Sequence, residues 1–209
     1  MANNLTQNKV VLVEGNHDRD FFEAWCKRMD RDIQVEVYGG KSKLSQYLGP
    51  FKKKFLVPDE KEKSLIIVRD ADVDSQGALK SVQDALKLNT LPQPPQAFQF
   101  IEGPPRVAIA ILPDGVSTGA LEDLLLRTVV NDPALPAADK FIASVSEELR
   151  RQVNGRKPPP QHKQAKARAH AFLATYEDPD KDIGKAALSG VWGFDDPSLQ
   201  QLRQLIDEI

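Results

Sequence analysis

Short apolar runs alternate with helical stretches through residue 130, and that alternation constrains this chain more than any other feature. Residues 9–14 read Lys-Val-Val-Leu-Val-Glu, a buried strand closed by Glu14-Gly15. Residues 33–38 alternate in polarity as a strand does and stop at Gly39-Gly40. Residues 64–70 form the clearest strand pattern and end in Asp70; residues 107–112 form another, and 98–101 a shorter one. Helical spacing over 18–29, 42–55, 75–88 and 119–130 fills the intervals, with the second helix expected to break at Gly49-Pro50. Repeated strand–helix units predict an α/β fold, a mainly parallel sheet flanked by helices on both faces. Beyond residue 130 the strand signals end, and helices are expected over 137–153, 161–175 and 198–209. The expected organisation is an α/β core over residues 1–135 and a helical C-terminal region, 136–209, packed on it as one compact unit of 209 residues.

Several classes of function are excluded by what the chain lacks. No run approaches the roughly 18–20 apolar residues needed to span a bilayer. Residues 1–9 are polar and hold no apolar signal-peptide core, so a cytoplasmic location and no membrane partner are expected. The single cysteine, Cys26, excludes an internal disulfide and a multi-cysteine zinc site. It falls within the helical pattern of Phe21, Phe22 and Trp25, which predicts core packing. A net charge of −2 gives no global attraction to nucleic acid, but the charge is unevenly spread. Acids gather at 14–20, 70–74 and 122–123, whereas bases gather at 150–157 and 163–168.

The acids carry the chemistry. Glu14 ends the first strand with Asp18 four positions on, and Asp70-Ala71-Asp72-Val73-Asp74 follows the third. In an open α/β sheet such strand ends share the edge where ligands bind. Carboxylates converging there suit a hard divalent cation, which takes oxygen ligands and keeps several waters. Each acidic turn alone would be a solvated loop or helix cap; their joint appearance at two strand ends favours a site. Rival motifs fail on the same residues. An EF-hand loop starting at Asp70 needs glycine at its sixth position and glutamate at its twelfth, where Ser75 and Ser81 stand. A P-loop ending in Gly40-Lys41-Ser42 would need glycine at Val35. His17, His162 and His170 lack zinc-site spacing.

Val13-Glu14-Gly15 with Asp18, followed by Ile-Val-Arg-Asp-Ala-Asp at 67–72, resembles the Toprim domain shared by topoisomerases, bacterial primases and several nucleases. Glu14 to Asp18, Asp70-Ala71-Asp72 and Gly119 to Asp123 are similar to the Toprim nuclease segment of the OLD (overcoming lysogenisation defect) family. They also resemble an uncharacterised bacterial Toprim-related family of about this length, whose tail is similar to residues 184–187 and 190–195. The resemblance covers residues 9–130 well and the remainder loosely.

The resemblance implies a metal-dependent nuclease, set within phage defence, that hydrolyses phosphodiesters with two Mg²⁺ or Mn²⁺ ions. Glu14 and Asp18 would hold one ion, Asp70 and Asp72 the other or both; Asp74 extends the motif, and Glu122 is a further acid of the OLD pattern. Glu14, Asp70 and Asp72 would be catalytic, together with a lysine from the helical region, Lys163 or Lys166. Nucleic acid would be contacted by Lys41, Arg150, Arg151, Arg156, Lys163, Lys166 and Arg168, through phosphates rather than bases. A homodimer or a partner ATPase is a further expectation from the resemblance. The competing expectation is a non-catalytic Toprim-like regulator that binds metal, nucleotide or a partner protein. Tyr38, Tyr47, Tyr176 and Trp192 read as packing residues.

Overall fold

The computed structural model describes residues 7–56, 62–151 and 157–209. Four strands, β1 (Lys9–Val13), β2 (Gln34–Val37), β3 (Ser64–Asp70) and β4 (Arg106–Leu112), form one sheet in the order β2-β1-β3-β4. Every pairing is parallel; Val11 lies beside Val35 and Ile66, and Ile67 beside Ile109. The expected α/β class with a parallel sheet is what the chain adopts.

Side-chain alternation divides the core into two layers, because successive strand residues point to opposite faces. Val10, Leu12, Leu65, Ile67, Val107, Ile109 and Ile111 face the layer that contains α2 (Leu44–Phe55) and α3 (Ser75–Leu88). Val11, Val13, Ile66, Val68, Ala108 and Ala110 face the other. That second layer holds α1 (Asn16–Arg28), α4 (Leu121–Thr128), part of α5 (Leu135–Arg151) and α6 (Gln164–Leu173). The short α7 (Ile183–Leu188) and the last helix, α8 (Gln200–Glu208), complete it. Trp192 anchors this layer: it is buried and donates its indole N–H to the Ile183 carbonyl at 3.1 Å. Cys26 is buried in the same layer, and burial pushes its thiol up to about 12. No helix among the described residues is long and apolar enough to cross a membrane.

Two local expectations are overturned. The helix over 44–55 runs unbroken through Pro50. Pro50 is exposed, so only the Gln46 carbonyl loses its helical donor, while Leu44, Leu48, Phe51 and Phe55 stay buried on one stripe. Each such buried side chain stabilises by ~1.5–3 kcal/mol, enough together to outweigh one proline. Residues 98–101 make no strand beyond an isolated antiparallel bridge between Ile101 and Val107. Phe98 sits at φ +59 and Gly103 at φ +156, and neither continues an extended ladder.

Candidate metal centre

Because all four strands run the same way, the turns after β1, β2 and β3 lie along one edge, and each delivers a charged side chain there. Glu14 follows β1 directly. Its Oε1 accepts a hydrogen bond from the Lys41 backbone N–H at 3.3 Å, while its Oε2 is buried with no hydrogen-bond partner. Asp18 lies in the first turn of α1, and the Gly15 N–H donates to its Oδ2 at 2.8 Å. A carboxylate there caps the helix start and complements its dipole.

Asp70 is the last residue of β3, and its Oδ1 accepts from the Leu121 N–H at the start of α4, 3.0 Å away. Next in line, Asp72 takes a left-handed backbone, φ +51, and exchanges two 2.8 Å backbone hydrogen bonds with Gly119. This pairing ties the turn after β3 to the segment before α4. At α4 the two neighbouring acids divide their roles. Asp123 accepts from the Ala120 N–H at 2.9 Å and caps the helix, while Glu122 is buried. Lys166 on α6 approaches Glu122 Oε1 at 3.9 Å.

The electrostatics show that acids from separate turns crowd one another. Burial raises Asp70 well above the ordinary carboxylate range, and the negative charges of Asp18, Glu122 and Glu14 add to the rise. Burial also raises Asp18, to about 6, against the opposing Gly15 hydrogen bond; Glu122 and Glu14 add to its shift. Tyr38 donates its hydroxyl to the Val68 carbonyl at 3.1 Å, and its pKa rises through burial and the charge of Glu14.

The remaining sequence-derived residues sit variously. Asp74 caps α3 by accepting from the Gly77 N–H at 2.9 Å. Lys41 reaches Asp72 Oδ2 at 3.0 Å. Lys163 is exposed in the turn that precedes α6, whereas Lys166 is the lysine drawn to Glu122. Arg151 pairs with Glu147 on its own helix, and Arg168 grips Asp139 through two bonds of 2.6 and 2.8 Å. Arg150 is exposed in the last turn of α5; Arg156 lies outside the described residues. Sequence reasoning missed the backbone donors of Gly15 and Leu121. It also missed His170, one turn beyond Lys166, which is lowered by burial and by Lys166 and also feels Glu122 and His17. The i,i+4 spacing of Lys166 and His170 is the signal that could have paired them.

A family model described as Protein of unknown function (DUF3226) matches residues 8–209. The chain belongs to that family. No curated protein matches this DUF3226 chain. Among solved structures it is similar to the C-terminal region of the OLD protein of Xanthomonas campestris pv. campestris, in two structures of that region. The structure phased with mercury has 14% identity and a TM-score of 0.45, covering 97% of this chain and 98% of that one. The structure phased with iodine has 16% identity and a TM-score of 0.45, with 97% of each chain covered.

Whether the DUF3226 acids fit a cation can be judged from their oxygens. The donor set is carboxylate only, as hard divalent ions prefer, and Glu14 Oε2 is a buried acceptor with nothing to accept from. Asp18, Asp70 and Asp72 each have one oxygen engaged by a donor. In these positions no three acid, histidine or cysteine side chains among the described residues close around a common point. In donor type the residues fit a magnesium- or manganese-type site.

Proposed function

We propose that this chain is a Toprim-type nuclease that uses Mg²⁺ or Mn²⁺ to hydrolyse phosphodiester bonds in nucleic acid. The observation that carries the reading is the gathering of Glu14, Asp18, Asp70 and Glu122 at the sheet edge, where burial raises Asp70 and Asp18 and the charges of their acidic neighbours add to the rise. Such mutual repulsion in a partly buried place is relieved by a cation and is otherwise costly. The sequence resemblance to Toprim nucleases supports the same reading through Glu14, Asp18, Asp70 and Asp72.

Glu14, Asp18, Asp70 and Asp72 would hold the ions, with Glu122 behind them and Asp74 mainly occupied as a helix cap. Bound there, two ions would supply activation of water and neutralisation of charge on the leaving oxygen. The chain's own residues have separate tasks. The Leu121 N–H fixes one Asp70 oxygen, so the other would be the one to meet an ion. The Gly15 N–H does the same for Asp18. Lys166, 3.9 Å from Glu122, can stabilise negative charge on a phosphate, and this nearness to the acids favours it over Lys163.

A non-catalytic regulator remains the second reading, and one observation favours it: lysines already pair with Asp72 and Glu122, so part of the charge is balanced without an ion. The test is incubation of the purified protein with plasmid and single-stranded DNA in Mg²⁺ or Mn²⁺. Cleavage that is lost in a correctly folded Glu14→Gln variant is expected. Intact substrate at high protein concentration, with Mn²⁺ bound, would instead establish the regulator.

A further inference from the structure

Lys41 reaches the acid cluster twice. Its ammonium lies 3.0 Å from Asp72 Oδ2, and its backbone N–H donates to Glu14 Oε1 at 3.3 Å. The turn before it makes this approach possible. Gly39 and Gly40 have φ of +85 and +110, a conformation glycine adopts without strain, and the Gly40 N–H is fixed to the Glu14 carbonyl at 3.1 Å. The backbone of the turn is therefore pinned to the end of β1, whereas the lysine side chain is 59% exposed and free to swing. A flexible, hydrated ammonium on a short, pinned turn makes a mobile counter-charge.

We propose that Lys41 is the built-in counter-ion of the cation-free site. It sits on Asp72 while no metal is bound, is displaced when a divalent ion takes that oxygen, and then turns to a substrate phosphate. The proposal rests on the metal-dependent reading above and adds to it an exchange of one positive charge for another. An ammonium and a divalent ion compete for Asp72 Oδ2, since their like charges repel at contact distance. Once off Asp72, the ammonium has a natural partner in the phosphate that approaches the same edge.

Titration of Mn²⁺ into metal-free protein, read by calorimetry, tests the first half. Lys41→Gln should bind Mn²⁺ about two- to fivefold more tightly than the native protein, the range set by the small strength of an exposed ion pair. Lys43→Gln removes the same charge from the same turn without touching Asp72 and should leave the affinity unchanged. Equal Mn²⁺ affinity in native and Lys41→Gln protein would overturn the proposal, as would equal tightening in Lys43→Gln. The second half is read from binding of a single-stranded oligonucleotide in Ca²⁺ at several salt concentrations. Lys41→Gln should bind more weakly, with a logarithmic salt slope smaller by about one; an unchanged slope would overturn the hand-over to phosphate. Native protein that binds no Mn²⁺ at all would sink the metal reading itself, an outcome distinct from a native protein that binds Mn²⁺ no more weakly than Lys41→Gln.

Discussion

Burial, with the negative charges of Asp18, Glu122 and Glu14, disfavours the charged form of Asp70 without a cation, against the opposing hydrogen bond from Leu121. A buried acid raised in the folded state binds its proton more tightly there than in the unfolded chain. The contribution of Asp18 and Asp70 to the stability of the metal-free protein is therefore fully present below pH about 4, the unfolded value of an aspartate, and is lost as pH rises through the folded values. For Asp18 that window closes at about 6; Asp70, raised well above its ordinary value, loses its contribution in the same direction. Urea denaturation in chelator should show a loss on the order of 1–3 kcal/mol between pH 4 and 7. Asp70→Asn should flatten that slope, and an identical slope in the variant would mean that Asp70 is not raised in the folded state. The types and positions of these acids were legible in the sequence, because acidic turns recur at two strand ends of one α/β layout, although each alone would be a solvated loop or a helix cap. Which oxygen is engaged was not legible. That depends on Leu121, 51 positions away, and on a left-handed Asp72 that no local pattern signals.

Among the elements, α7 was the least visible beforehand and one of the most closely packed. Six residues are too few for a helical period to register, although residues 184–187 had stood out as a motif. The structure gives Gly184 a reason: a Cβ there would press on the side chain of Asp20 and lie 3.2 Å from its Cα, so α7 rests directly on the backbone of α1. Gly184→Ala should therefore destabilise by ~1–3 kcal/mol in equilibrium unfolding, the usual cost of an added methyl in a filled contact. A change within measurement error would show that α7 is only loosely docked. The break expected at Pro50 and the strand expected at 98–101 failed for a shared reason. Local propensity was weighed without the buried stripe of α2 or the backbone turns at Phe98 and Gly103, and tertiary packing decides both.

For the whole molecule, the parallel order β2-β1-β3-β4 was implied by strand–helix alternation, but the placing of β1 and β3 at the centre was not, since periodicity says nothing about which strands are neighbours. That central position has a consequence in time rather than in space. Val11, Leu12, Ile66 and Ile67 belong to strands paired on both sides and covered on both faces. Their amide protons should exchange with deuterium only when the entire protein unfolds, whereas those at the exposed last turn of α2, Lys52 to Lys54, should exchange by fraying. Comparable exchange rates in both places would contradict a cooperative centre. Glu14 and Asp70 extend from the two slowest strands, so brief openings elsewhere leave the spacing between them undisturbed.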